Sequence, residues 1–79
     1  MQGKTEITVD DYYKKIQEEA DKITSDRGLE KITVVPILET ELRKGKRPTC
    51  FRKNDKSCAL ILREAQDIVD RKYILKEVE

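Results

Sequence analysis

"ITVVPILETELRKG", residues 32–45, decides the fold, because its first four residues and its last ten argue for different structures. Ile32–Val35 is β-branched throughout and suits a short strand. The competing interpretation takes Thr33 as a helix N-cap and puts Pro36 in the first turn, where its missing N–H costs nothing. Val34, Ile37, Leu38 and Leu42 then share one face. Arg43 and Lys44 complement the dipole at the helix end, and Gly45 terminates it. The helix accounts for more of the residues and is preferred, with the strand as its rival.

On either side lie two clearer helices. Val9, Tyr12, Tyr13, Ile16, Ala20 and Ile23 recur at steps of three and four, which makes one apolar stripe. Thr8 is a good N-cap with Asp11 three residues on, and Gly28 is placed to end the helix in a left-handed conformation, after which Leu29 would fold back onto Ile23. A helix over residues 9–26 follows. Further on, Cys58, Ile61, Leu62, Ala65, Ile68 and Val69 form a second stripe, beginning near Asp55 or Ser57 and ending near Arg71. The tail Tyr73–Val78 is too short for its own helix and reads as a strand or a fraying extension.

Seventy-nine residues make one domain, since a second would have too little core. The chain is 42% charged and 37% hydrophobic, yet its net charge is only +1 and its apolar residues are periodic, which argues for a folded domain with a thin core. No apolar run is long enough to span a bilayer, and the first residues lack the apolar core of a signal peptide. A cytoplasmic location with no membrane partner is expected, and with it free thiols at Cys50 and Cys58.

The small net charge hides a division. Residues 43–56 carry seven bases, namely Arg43, Lys44, Lys46, Arg47, Arg52, Lys53 and Lys56, against the single acid Asp55, a net of +6. The remainder holds ten bases and fifteen acids, a net of −5. A basic loop thus sits on an acidic body. Charge runs are usually solvated faces, but six unbalanced charges repel one another until a polyanion neutralises them. Phe51, the sole Phe, lies inside this run and would either stack on a base or anchor the loop in the core. As a connection the run is long, so it is functional or contains a missed element. One such element is a β-hairpin near residues 49–60, turning on Asn54–Asp55 with Phe51 opposite Cys58.

Catalysis has little to build on. The chain has no His and only three glycines, none in a phosphate-binding loop, and two cysteines alone cannot complete a zinc site. No enzyme, cofactor or metal is expected.

From Thr33 onward, the order "TVVPILETELRKG", then a longer helix, then "LREAQDIVDRKYILKEV" running into a strand, resembles a winged helix-turn-helix domain. The resemblance covers about residues 8–78 and implies DNA binding through the third helix. The sequence departs from that pattern in three ways. The whole basic loop replaces the usual short turn, no second wing strand follows Val78, and the third helix carries Glu64, Asp67 and Asp70. Contact then shifts to the loop and the helix start, with Lys56 and Arg63.

The expected fold is mainly α, a compact three-helix domain closed in its winged-helix-like version by a short C-terminal strand; the alternative is α+β with the hairpin near residues 49–60. The expected function is non-catalytic nucleic-acid binding, DNA first, in a regulatory or accessory role. Arg43, Lys44, Lys46, Arg47, Arg52 and Lys53 would neutralise phosphates, Lys56 and Arg63 would extend the patch, and Phe51 would stack or anchor. The rival is an inhibitor or adaptor whose loop docks an acidic protein partner. The thin core also favours a homodimer burying the Tyr12/Tyr13 region or Tyr73–Val78.

Overall fold

A computed structural model describes residues 4–51 and 58–76. The element order is β1 (Thr5–Ile7), α1 (Val9–Arg27), β2 (Thr33–Val35), α2 (Glu39–Arg43), β3 (Thr49–Phe51), α3 (Cys58–Lys72) and β4 (Tyr73–Leu75). Among the described residues the three helices expected are present, and short strands between and beside them make the architecture mixed α+β rather than purely α.

Helix α1 forms for the reasons its sequence states. The Thr8 hydroxyl accepts a hydrogen bond from the Asp11 N–H at 3.2 Å, and Gly28 closes the helix at φ 65°. Beyond it, the Leu29 N–H donates to the Thr24 carbonyl at 2.8 Å, which satisfies an orphan acceptor of the last turn. Leu29 itself stays exposed, so its side chain does not complete the turn as expected. Tyr12, Ile16 and Ala20 of α1 are buried together with Cys58, Ile61, Leu62, Ala65 and Val69 of α3. Ile32 and Leu42 join this single cluster from the segment between the two helices. The radius of gyration, 12.8 Å, exceeds the value of about 11.6 Å typical for this chain length. With a shortest dimension of 16 Å, the molecule is a plate rather than a ball.

The deciding segment takes both of its readings, in sequence. Thr33–Val35 is a strand, and only Glu39–Arg43 is helical, so a helix starting at Thr33 is overturned. Pro36 explains the division: its ring disfavours α geometry at the preceding Val35. The strand is then held from both sides. One edge pairs antiparallel with β3, in the register Thr33 to Phe51, Val34 to Cys50 and Val35 to Thr49. At the other, the Gln17 amide of α1 donates to the Ile32 carbonyl at 2.9 Å and accepts from the Val34 N–H at 2.9 Å. A side-chain amide thus stands in for a neighbouring strand. Further along, the Ile37 N–H donates to the Tyr13 hydroxyl at 3.2 Å.

The hairpin expected near residues 49–60 is corrected in the same way. Phe51 lies opposite Thr33, not Cys58, which belongs to α3. The turn at Asn54–Asp55 and the caps Asp55 and Ser57 fall outside the described residues. The basic run is not one structureless loop either, because β3 occupies part of it.

The tail forms a strand, β4, which pairs parallel with β1 in the register Thr5 to Tyr73 and Ile7 to Leu75. Tyr12 is buried and Tyr73–Leu75 is paired, so much of the surface expected to support self-association is used within one chain. No helix among the described residues is long and apolar enough to cross a membrane.

Candidate nucleic-acid interface

The structure divides the expected site residues into three groups. Arg43, at the end of α2, donates from Nε to Glu39 Oε2 at 2.8 Å and from a terminal nitrogen to the Lys76 carbonyl at 2.7 Å. Lys46 meets Glu41 at 2.9 Å. Arg47 donates to Gln66 Oε1 at 2.9 Å and lies 3.5 Å from Asp67. These three bases hold elements together: α2 to the end of β4, the following turn back to α2, and that turn to α3. Part of the loop's charge is therefore offset by Glu39, Glu41 and Asp67.

Lys44 and Arg63 form the second group. Both are exposed and form no ion pair among the described residues. Arg63 sits one helical turn before Asp67 on the same face of α3, and Arg47 approaches Asp67 from the loop. Arg52, Lys53 and Lys56 form the third group and lie outside the described residues.

Phe51 settles one of the two roles open to it. It is 68% exposed and does not anchor the loop in the core. The reason is strand alternation on the β2–β3 ribbon. Val34 and Cys50 turn inward against the core, whereas Thr33, Val35, Thr49 and Phe51 face outward. The outward face thus ends in a flat aromatic side chain immediately before Arg52 and Lys53.

The acids of α3, which spoiled its view as a DNA-facing helix, are all engaged. Arg27 donates to both oxygens of Glu64, at 2.9 and 2.8 Å, and this fork holds the Glu64 carboxyl below its ordinary range. Asp67 faces Arg47, and Asp70 Oδ1 accepts from the Tyr12 hydroxyl at 2.7 Å.

That last bond belongs to a polar chain that sequence reasoning missed. Arg47 donates to Gln66, the Gln66 amide donates to the Tyr12 hydroxyl at 2.9 Å, and Tyr12 donates to Asp70. Lys4 closes over its end, donating to the Asp70 carbonyl at 2.6 Å. Burial, and then the bond to Asp70, push the Tyr12 phenol well above the ordinary tyrosine range. A signal was present: Gln66 sits between Leu62 and Val69 on the buried stripe of α3, and a buried amide demands partners.

Among the described residues no group of three His, Cys, Asp or Glu side chains could hold a metal ion. Cys50 is half-buried and Cys58 is buried. No family model matches the sequence, and neither the curated proteins nor the solved structures provide a match.

Proposed function

We propose that the chain is a non-catalytic nucleic-acid-binding module, with DNA the first form to test, acting in a regulatory or accessory role. The observation that carries this is Phe51, exposed at the end of an outward-facing ribbon and followed directly by basic residues. An aromatic platform beside cations is the arrangement that binds unpaired bases by stacking and their phosphates by charge. Lys44 and Arg63, with Arg52, Lys53 and Lys56, supply the phosphate contacts; Arg43, Lys46 and Arg47 add to the field while bracing the fold. In the winged-helix version, α3 is the helix presented to the duplex and β4 the strand it runs into. The strand β3 between α2 and α3, and the pairing of β4 with β1, are additions to that pattern.

The test is fluorescence anisotropy with duplex DNA, single-stranded DNA and RNA at two salt concentrations. Phe51→Ala should weaken single-strand binding by about 1–3 kcal/mol, and Lys44→Gln with Arg63→Gln should lower the salt slope by about two. Unchanged binding by both variants would remove this surface from nucleic-acid recognition.

A second interpretation has its own support. Leu38 is 72% exposed and Leu60 63%, and apolar side chains beside bases also suit an acidic protein partner, as in an inhibitor or adaptor. Unrelated duplex DNA would displace nucleic acid from the module but would leave a specific protein partner bound.

A further inference from the structure

A cavity of about 440 Å³ opens between α2, the end of α3 and β4, away from Phe51. Its rim is basic: Lys4, Arg43, Lys46 and Arg47 all border it. Its floor is the chain formed by Gln66, Tyr12 and Asp70, and Leu42 and Ile74 supply an apolar wall. The side chain of Ile74, 52% exposed, is left uncovered there by the protein's own packing.

We propose that this cavity binds a small phosphomonoester carrying neighbouring hydroxyls, of about the size of a mononucleotide. The rim selects the phosphate. Arg43 and Arg47 each keep N–H donors beyond those committed to Glu39, Lys76, Gln66 and Asp67, and the Lys4 ammonium keeps donors beyond its bond to Asp70. The floor selects hydroxyls. Asp70 accepts from Tyr12 through Oδ1, and its Oδ2 accepts from none of the described residues, so a carboxylate oxygen of the cavity lining keeps its capacity to accept. The size suits an organic ligand, because the cavity falls within the range of about 300–1,000 Å³ typical of such sites. Sugar phosphates and nucleotides share this chemistry; only the nucleotide also uses the apolar wall. The site shares no residue with the Phe51 ribbon but shares Arg43, Lys46 and Arg47 with the basic field proposed for nucleic acid, so the two are separated by testing small phosphomonoesters with no nucleic acid present.

Amide NMR titrations of the whole chain with AMP, ribose 5-phosphate, adenosine and inorganic phosphate test it. AMP and ribose 5-phosphate should saturably shift Lys4, Lys46, Arg47, Gln66 and Asp70, with adenosine and inorganic phosphate about tenfold weaker or more, the effect of a lost charged hydrogen bond. AMP binding tighter than ribose 5-phosphate assigns the wall to a base, and equal binding assigns the site to sugar phosphates. Lys4→Gln combined with Lys46→Gln, both on exposed side chains, should weaken AMP about tenfold while the core amides of α1 and α3 stay in place. Lys46→Gln alone should give a smaller loss in the same direction, which keeps the test intact if the double variant misfolds. No saturable shift with either phosphomonoester, equal affinity for AMP and inorganic phosphate, or AMP binding untouched by these substitutions would overturn the proposal.

Discussion

The helix pair α1 and α3 and the segment from Ile32 to Phe51 are built on different kinds of information. In the pair, the buried apolar positions follow from spacing along each helix: Tyr12, Ile16 and Ala20 on one, Cys58, Ile61, Leu62, Ala65 and Val69 on the other. In the segment, structure depends on groups far away in the chain. Strand β2 exists between β3 on one edge and the Gln17 amide on the other, and α2 is only five residues long. A helix that short gains little from its own hydrogen bonds. The first region is specified locally and the second by docking.

The sharpest way to break the comparison is to damage each region at one residue. Ile16→Ala, in the fully buried centre, should cost about 2–5 kcal/mol and lower the melting temperature of the whole chain in one transition. Gln17→Ala, one residue on, should cost less, about 1–3 kcal/mol, by leaving the Ile32 carbonyl and the Val34 N–H without their partner. Hydrogen exchange should show that loss concentrated at β2 and β3, with α3 nearly as protected as before. Equal loss of protection in both regions would mean that they open as one unit, and the distinction would fail.

Two pH experiments sharpen it with smaller effects. The folded Tyr12 phenol has a raised pKa, so the unfolded chain ionises first. Stability from this group is complete below about pH 10, the ordinary tyrosine value, and falls as pH rises above it. Ultraviolet titration should show one of the three tyrosines ionising only as the chain unfolds, and Tyr12→Phe should abolish that late step. The Glu64 carboxyl has a lowered pKa, so its contribution is present above the ordinary glutamate range and is lost as pH falls through the folded value. Glu64→Gln should therefore flatten the acid limb of the stability curve slightly. A large effect there would be unexpected, because Arg27 and Glu64 lie on the surface, where solvent screens the pair.

These contrasts also mark what was legible in the sequence. The limits and core face of α1, the core face and end of α3, and the extended tail could be read from periodicity and caps. Residues 32–38 were misjudged because the helix signals at Thr33 and Gly45 were weighed without the restriction that Pro36 places on Val35. No local pattern names Gln17 as the partner of Ile32 and Val34, since that pairing appears only after α1 has docked. Among the site residues, charge was legible and its use was not. Composition identifies Arg43, Lys46 and Arg47 as a basic run, but only geometry shows them bonded to Glu39, Glu41, Gln66 and Asp67. Phe51 turned outward because strand alternation, set by β2, assigns Cys50 to the core.

The parallel pairing of β1 with β4 has a mechanical consequence. The chain enters β1 at Thr5 and leaves β4 at Leu75, and the register places these residues at opposite ends of the ribbon. Tension applied along the chain pulls the two strands past each other lengthwise and loads their hydrogen bonds together rather than one after another. The helices and the β2–β3 ribbon lie between those anchor points and stay shielded until the clasp slips. A ribbon of three residues per strand thus acts as the tensile lock for everything folded between its strands.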